Sequence, residues 1–489
     1  MIELENDTSE DYATAPSVRT RGRSFCHECL RVFSFCTNRQ IERHLFEDSQ
    51  SPLPPAVRQP HVMKTGQRWI LVLFALTSVI VVVTLLVSSV SYKHGSLTIT
   101  LDLDELTERG KCPACFGVKL CPQMIQGKIE LNDWTKYSVS KLVNSKNVFY
   151  ATWHNRGVER KLILKKLAHD NELARLDKEL CNRHGKQDQC DSKDAVRLLI
   201  DKYSYTHKNR PDDPILHGEK IGKVTDALLC PSHHKMDYII ERVTKLSKGP
   251  HRNTILMHIL TMLLVNPEPL ILQTFRAEDG WPFPVYYGAC GRIVAEEYVG
   301  NRLTTFYKYD FHIRATIALE LLEIAFKLSD NDTDFILYLA DISPDNFAVN
   351  EDDYKVKVID LENIIIVDKT QLDKTGNNKV HVSESMNCQN KQSGNSEGQC
   401  FSVSTEELCV YPVTDHNFYA ICAGLLASDP LSQEFPEGLL HNPPSELSNS
   451  KFNEYLESCR VPGPKYNRIE AAQKLRELLE NYVGVRGSR

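Results

Sequence analysis

The sequence lacks an excess of basic charge. Its 489 residues include 58 Lys and Arg against 64 Asp and Glu, and the net charge is −6 at pH 7. Because nucleic-acid-binding domains present basic surfaces to phosphates, this balance argues against a DNA- or RNA-binding role. Hydrophobic residues make up 42% of the chain, which excludes a disordered or collagenous protein and supplies ample apolar side chain for a folded core.

One stretch of the chain lacks charge altogether. The 22 residues from Trp69 to Val90 are rich in Val, Leu and Ile and contain no charged side chain. A helix of that length spans about 30 Å of hydrocarbon, so we predict a single transmembrane signal anchor over residues 69–92. Basic residues are denser before this segment than directly after it, which favours a cytosolic amino terminus.

The predicted membrane helix also partitions the cysteines. Three of the 15 precede it and twelve follow it, at positions 112, 115, 121, 181, 190, 230, 290, 388, 400, 409, 422 and 459. An even set spread over a folded region is typical of disulfides in an oxidising lumen, and the sequon Asn331-Asp-Thr333 favours the same compartment. We therefore predict a disulfide-containing type II membrane protein. A metal or redox site at Cys112-Pro-Ala-Cys115 is the weaker alternative, because no second such pair follows the helix.

A lysine lies on the second strand of a predicted hairpin. The strand-like segments 147–153 and 161–167 flank the turn His154-Asn-Arg-Gly157. An edge strand with solvated lysines is the ordinary interpretation of such a segment. Two segments further along the chain give Lys165 a more specific meaning.

Those two segments carry acidic residues at a characteristic separation. In Asp341-Ile-Ser-Pro-Asp-Asn346 an Asp is followed five residues later by an Asn, which matches the spacing of a kinase catalytic loop. In Val356-Lys-Val-Ile-Asp360-Leu-Glu362 a strand ends in an acidic residue, where the kinase metal-binding triplet stands. Behind a strand lysine and in this order, the two segments predict phosphoryl-transfer chemistry.

Phosphoryl transfer assigns a role to each of these side chains. Lys165 would neutralise nucleotide phosphates, Asp341 would accept the proton of the attacking hydroxyl, and Asn346 and Asp360 would hold Mg or Mn across the phosphates of ATP. Lys165 also needs an acidic partner. Glu172 and Glu179 lie seven residues apart in the predicted helix 171–180, and Glu172 is the first choice because leucines would pack beside it.

Several further segments are distinctive: residues 112–117, 266–270, 280–283, 288–292 and 438–446. Together with the catalytic-loop segment, they closely resemble a known family, the divergent protein kinase domain 2 or Deleted-in-Autism proteins, from near residue 111 onward. The resemblance implies an α+β, divergent bilobal protein-kinase-like fold in the secretory pathway, associated with the Golgi or endoplasmic reticulum and released from cells in some members. A lumenal or secreted protein is the implied partner.

The same fold suggests where adenine would bind. Segments 269–275 and 292–299 are interpreted as the next two strands, and Glu297-Tyr-Val299-Gly would form a hinge that bonds adenine through its backbone. Residues 316–328 show the spacing of a helix that precedes the catalytic loop. Asp415, at the start of a later helix, is predicted to support that loop.

These expectations divide the chain into five parts. They are a cytosolic disordered tail (1–68), the transmembrane helix (69–92), a Cys-containing stem (93–133), an amino-terminal kinase-like lobe (134–300) and a carboxyl-terminal lobe (301–489). The Ser- and Asn-rich stretch 383–399 is interpreted as a surface loop that Cys388 and Cys400 could staple.

Three features depart from an ordinary kinase. No glycine-rich phosphate loop occurs between residues 138 and 153, Leu339-Ala340 stands before the catalytic Asp, and Glu362 replaces the glycine of the metal-binding triplet. Two hypotheses therefore stay open. One is an ATP-dependent kinase, which the presence of Lys165, Asp341, Asn346 and Asp360 favours. The other is a catalytically inactive pseudokinase that serves as a binding or signalling module.

Overall fold

The computed structural model describes residues 103–132, 147–155, 157–183, 190–207, 210–223, 225, 227–247, 250–372, 380–389, 397–428 and 437–487. The predicted cytosolic tail and membrane helix lie outside these residues. Within the described part of the chain, no helix has the length and apolarity needed to cross a bilayer.

The strands are short. In chain order they are β1 (Ile129–Leu131), β2 (Val148–Asn155), β3 (Val158–Lys165), β4 (Ser204–His207), β5 (Arg210–Leu216), β6 (Leu228–Cys230), β7 (Tyr286–Cys290), β8 (Ile293–Glu297), β9 (Asn301–Arg302), β10 (Phe335–Tyr338), β11 (Phe347–Val349), β12 (Val356–Val358), β13 (Ile365–Asp368), β14 (Val380–His381), β15 (Met386–Gln389), β16 (Glu397–Cys400) and β17 (Val413–Thr414).

The helices fall mostly between β3 and β7 and after β9. They are α1 (Leu103–Thr107), α2 (Cys121–Ile125), α3 (Asp170–Arg183), α4 (Ser192–Tyr203), α5 (Gly218–Gly222), α6 (Met236–Leu246), α7 (Arg252–Val265), α8 (Glu268–Thr274), α9 (Phe311–Ser329), α10 (Lys369–Leu372), α11 (Thr405–Leu408), α12 (His416–Ile421), α13 (Ser445–Ser448), α14 (Phe452–Arg460) and α15 (Arg468–Gly487). A π-helical turn, Cys422–Leu426, directly follows α12.

Five strands form one antiparallel sheet in the order β1-β2-β3-β8-β7. The predicted hairpin is confirmed as β2 and β3, and alternate residues of β3 enter the core at Leu162 and Leu164. Leu106, from the segment predicted to be a stem, packs into the same core cluster as Phe149. The described part of that segment therefore builds the sheet core, while the domain boundaries themselves stay predictions.

One predicted strand is wrong. Residues 269–275 lie largely in the helix α8, which begins at Glu268 and ends at Thr274. The Asn266 side-chain oxygen accepts a hydrogen bond from the Glu268 backbone amide at 2.9 Å, and Pro269 occupies the first turn, where a missing amide hydrogen costs nothing. A short run that is buried on every side has no readable period, so strand and helix could not be distinguished from the sequence.

The rest of the described chain builds a mainly helical part. The expected helix before the catalytic loop is confirmed as α9, and its inward residues join a large cluster that also includes α14 and α15. Two small sheets lie here, in the orders β10-β13-β6 and β12-β11-β9. Each acidic segment lies on a connection from one of these sheets to the other: residues 341–346 lead from β10 to β11, and residues 360–362 lead from β12 to β13.

The predicted disulfides are present in the described chain, and two of them join cysteines 169 and 179 residues apart. The five pairs are Cys112–Cys115, Cys121–Cys290, Cys181–Cys190, Cys230–Cys409 and Cys422–Cys459. The predicted surface loop 383–399 contains β15, which pairs antiparallel with β16. A staple between Cys388 and Cys400 concerns side chains outside those described.

The sequon lies on a turn between α9 and β10. The Asn331 side-chain nitrogen donates to the backbone oxygens of Lys327 at 3.2 Å and Phe335 at 3.1 Å. Attachment of a glycan would remove one of these two donors.

Candidate functional site

Lys165 ends β3 and points into a cleft beside α8 and β8. Its ammonium nitrogen donates to Glu268 Oε1 at 2.6 Å and to the backbone oxygen of Ile359 at 2.6 Å. It also lies 2.9 Å from Glu296 Oε2. Burial opposes the charged form, but the two carboxylates outweigh it, so the pKa of Lys165 is raised above its ordinary value. The lysine is therefore a fixed cation.

The acidic partner of Lys165 was predicted wrongly. Glu268 occupies that position, while the exposed Glu172 accepts a hydrogen bond from the His169 backbone amide at 2.8 Å as part of the first turn of α3. Glu268 is 2% exposed and also accepts a bond from the Leu361 amide at 3.1 Å. The partner lies 103 residues from the lysine because four longer helices (α3, α4, α6 and α7) and the hairpin of β4 and β5 intervene.

Glu296 is a buried acid that the sequence analysis passed over. It lies on β8, one residue before the predicted hinge, and is 1% exposed. Its Oε1 atom has no hydrogen-bond partner among the described residues. The one sequence signal for Glu296 is its position in a strand that is apolar on both faces, because an acid buried in such a strand needs a counter-ion.

The predicted catalytic loop connects β10 to β11. Asp341 is exposed, whereas Asn346 is buried and donates from its side chain to the Asp341 backbone oxygen at 3.4 Å. A short 3₁₀ turn, Pro344–Asn346, capped by the Ser343 hydroxyl, produces this approach. The structure thus brings Asp341 and Asn346 together.

Asp360 follows β12 and joins the same cleft. The lysine contact to Ile359 places the adjacent Asp360 beside Lys165. Burial, together with the charges of Glu268 and Asp341, raises the pKa of Asp360 to about 6 in spite of Lys165. Burial likewise raises the pKa of Glu268 to about 8, although Lys165 opposes this effect. The cleft is consequently rich in carboxylates that repel one another.

Glu362 is held at the edge of the cleft by Asn266. The Asn266 side chain donates to Glu362 Oε2 at 2.7 Å, and its oxygen accepts a hydrogen bond from the Glu268 amide at the start of α8. Burial of part of the side chain and the charges of Asp360 and Glu268 raise the pKa of Glu362, while the water that reaches this exposed residue moderates the effect. The departure from a glycine at this position therefore adds an acid that is structurally connected to α8.

Support for the catalytic loop comes from residues next to the predicted one. Asn417 accepts a hydrogen bond from the Leu339 amide at 3.1 Å, and His416 Nε2 lies 2.9 Å from the Leu339 oxygen. Asp415 instead forms an ion pair with Arg468 and accepts a bond from the Ser383 amide at 2.8 Å. The predicted helix start was right, but two adjacent residues make the contacts to the loop.

The predicted hinge lies where β8 passes into β9. The Glu297 carboxylate accepts a bond from the Val285 amide at 2.9 Å and forms an ion pair with Lys357 at 2.6 Å. Val299 is 8% exposed. The Glu297 backbone amide also donates to the Val285 oxygen at 3.0 Å, so both its side chain and its amide are committed to neighbouring residues.

The oxygen donors of the cleft determine which metal ion it could hold. Within the described part of the chain, no group of three or more His, Cys, Asp and Glu side chains is arranged to hold a metal ion. Asn346 and Asp360 nevertheless supply oxygen donors, and Mg²⁺ is commonly held by one or two protein oxygens while it keeps several waters. The residues therefore fit a divalent ion that arrives with a phosphate ligand.

A cavity elsewhere does not identify the site. An open cavity of about 1080 Å³ is lined by residues such as Lys111, Asp177 and Ser192, none of which belongs to the cleft around Lys165.

Known proteins resemble this chain over most of its length. The sequence profile described as "Protein-kinase domain of FAM69" matches residues 260–462. Human divergent protein kinase domain 2A is 34% identical over 400 residues, which cover 78% of this chain and 90% of that protein. This chain belongs to the divergent protein kinase domain 2 family.

Other relatives extend the same comparison. The Xenopus tropicalis 2A protein is 34% identical over 83% of this chain and 96% of its own length. Human divergent protein kinase domain 2B is 23% identical over 61% of this chain and 67% of its own length. A solved Mycobacterium tuberculosis protein in complex with erythromycin aligns at 11% identity with a TM-score of 0.20, which is too low to support an argument. For this family member, a kinase-like α+β fold with disulfides is thus shown.

Proposed function

We propose that this member of the divergent protein kinase domain 2 family binds ATP with Mg²⁺ or Mn²⁺ and transfers the γ-phosphate to a hydroxyl of a lumenal or secreted protein. The observation that carries the proposal is the Lys165–Glu268 ion pair at 2.6 Å beside Asp360. A buried lysine on a strand, paired with a helix carboxylate, is the arrangement that kinases use to hold nucleotide phosphates.

The chain's own groups have distinct tasks in this proposal. Lys165 neutralises phosphate charge, and Asp341, exposed at the mouth of the cleft, orients the acceptor hydroxyl and takes its proton. Asn346 and Asp360 offer the oxygen donors for a divalent ion, which supplies charge neutralisation at the phosphates when bound. The backbone near Glu297 and Val299 would receive the adenine.

The proposed compartment is the secretory pathway, with a single-pass type II topology in the Golgi or endoplasmic reticulum membrane. Five disulfides in the described chain support an oxidising compartment for this part of the protein. Protease treatment of sealed microsomes tests the topology. A carboxyl-terminal epitope should survive without detergent, and its digestion would contradict the proposal.

Nucleotide binding is tested by thermal unfolding of the full-length chain in detergent. A ligand that binds only the folded state raises its stability, so ATP with Mn²⁺ or Mg²⁺ should raise the melting temperature. Asp360→Ala should abolish the metal-dependent part of the shift. Asp341→Ala should retain the shift and lose phosphate transfer, because this residue acts on the acceptor. Glu320→Gln, at an exposed ion pair with Lys355, is the matched control.

A catalytically inactive pseudokinase is the second candidate. The extra acids Glu296 and Glu362 favour it, because each adds negative charge near the place where phosphates would bind. Binding of ATP without transfer to any tested acceptor would support this candidate. A folded chain with no nucleotide effect would exclude both nucleotide-binding proposals and leave a scaffold role.

A further inference from the structure

Lys165 is held from two sides by carboxylates. Glu268 approaches from α8 at 2.6 Å, and Glu296 approaches from the neighbouring strand β8 at 2.9 Å. The backbone oxygen of Ile359 is the third acceptor, at 2.6 Å. An ammonium group has three hydrogens; Lys165 donates two hydrogen bonds, to Glu268 and Ile359, and forms an ion pair with Glu296 as a third neighbour.

A nucleotide phosphate that approaches Lys165 therefore competes with these three acceptors of the chain. Glu268 is held a second time by the Leu361 amide at 3.1 Å, and the Ile359 oxygen belongs to the backbone. Glu296 makes the longest of the three contacts, and its second oxygen has no hydrogen-bond partner among the described residues. Glu296 is thus the acceptor that is least firmly held.

The charges act in the same direction. Burial raises the pKa of Glu268 to about 8, so near neutral pH the positive charge of Lys165 faces the carboxylate of Glu296 and the further acid Asp360. Because charges interact strongly in a site that excludes water, an excess of carboxylate repels a polyphosphate. Each of the two acids is nearly inaccessible to solvent, at 2% exposure for Glu268 and 1% for Glu296, so screening is weak.

We propose that Glu296 is an internal competitor for the phosphate contact of Lys165, which holds the cleft in an autoinhibited state until that contact opens. The proposal rests on the proposed nucleotide-binding function and adds regulation at the same site. Glu296 does not itself touch the reacting atoms. It acts as a positioning residue through the lysine.

The test uses Glu296→Gln, which preserves shape and an acceptor oxygen but removes the charge. Dissociation constants for ATP with Mn²⁺, ATP alone and adenosine are measured by calorimetry on the full-length chain, beside wild type and Glu320→Gln. We expect the dissociation constant for ATP to fall about tenfold in Glu296→Gln, since one repulsive charge near the phosphates is removed. Adenosine affinity should not change, because adenosine has no phosphate.

Each outcome decides between the two proposals. Tighter ATP binding with unchanged adenosine binding supports the competitor, as does ATP binding that appears only in Glu296→Gln. Equal ATP affinity in wild type and variant overturns the competitor while the nucleotide-binding function stands. Parallel changes for ATP and adenosine also overturn it, because they locate the effect outside the phosphate contact. If folded wild type and variant bind neither ligand, both proposals fail.

Discussion

The side chain of Asn417 accepts a hydrogen bond at 3.1 Å from the backbone amide of Leu339, which lies two residues before Asp341. The same side chain donates to the Leu337 oxygen at 2.9 Å, and Asn417 is fully buried. One amide group thus joins the helix α12 to the strand that leads into the catalytic loop. Only an amide side chain can form both bonds at once, because a carboxylate accepts hydrogen bonds but cannot donate them.

Asn417→Ala should lower the free energy of unfolding by about 1–3 kcal/mol, since it leaves the Leu339 amide and the Leu337 oxygen without their partner. Denaturant unfolding with the disulfides intact measures this change. Asn417→Asp keeps the acceptor and should preserve the bond to Leu339 while losing the other. A change below about 0.5 kcal/mol in Asn417→Ala would contradict the supporting role.

The choice between Glu268 and Glu172 as lysine partner can be tested directly. Glu268→Ala should lower the free energy of unfolding by about 1–3 kcal/mol, because the buried Leu361 amide and Lys165 both lose an acceptor. Glu172→Ala should cost about 1 kcal/mol or less, as expected for an exposed helix cap. The reverse order in urea unfolding would show that the cleft is assembled differently.

Stability should fall as pH rises across the range in which the cleft acids ionise. The pKa of Asp360 is raised from 3.8 to about 6, so the folded chain retains a proton that the unfolded chain releases. Where the folded state binds more protons, the free energy of unfolding decreases with increasing pH, here between about pH 4 and 6. Asp360→Asn should flatten this part of the profile, which chemical unfolding at several pH values measures.

Divalent ions should bind the cleft better at higher pH. A proton on Asp360 competes with a metal for the same oxygens, so Mn²⁺-dependent stabilisation with ATP should be larger at pH 7.5 than at pH 5.5. The stabilisation at pH 7.5 and that at pH 5.5 are compared by thermal unfolding. An equal shift at both values would indicate that Asp360 takes no part in metal binding.

The disulfides give a prediction that does not depend on nucleotide. Cys230 and Cys409 are 179 residues apart, and replacing both with Ser should lower the free energy of unfolding by about 2–5 kcal/mol. Peptide mapping without reduction should recover this pair and the other four. Extensive alkylation of these cysteines in the native protein would contradict the assignment.

Local patterns in the sequence were sufficient for several parts of the site. The hairpin that carries Lys165, the loop from Asp341 to Asn346 and the acidic turn at Asp360 each depend on neighbouring residues, and the structure contains each of them. Spacing along a strand or a short loop is set by backbone geometry, so it can be read without the fold. The role of each side chain in phosphoryl transfer stays a prediction.

Contacts between residues that are far apart in the chain could not be predicted from the sequence pattern. Glu268 lies 103 residues from Lys165, and the segment that holds it is buried on all sides, so neither distance nor period identified a helix there. The support of the catalytic loop moved from Asp415 to Asn417 because a side chain's direction depends on how α12 packs, which a single sequence does not specify.

The sequence by itself determined the kinase-like class, the disulfide-rich character and the order of the polar residues along the chain. Only the tertiary structure decided which acids meet at Lys165. Glu296 contacts the lysine because β3 and β8 are adjacent in the sheet, and Glu268 does so because α8 begins beside the end of β3. Charge–charge energies depend on distance and burial, and both quantities exist only once these elements have packed.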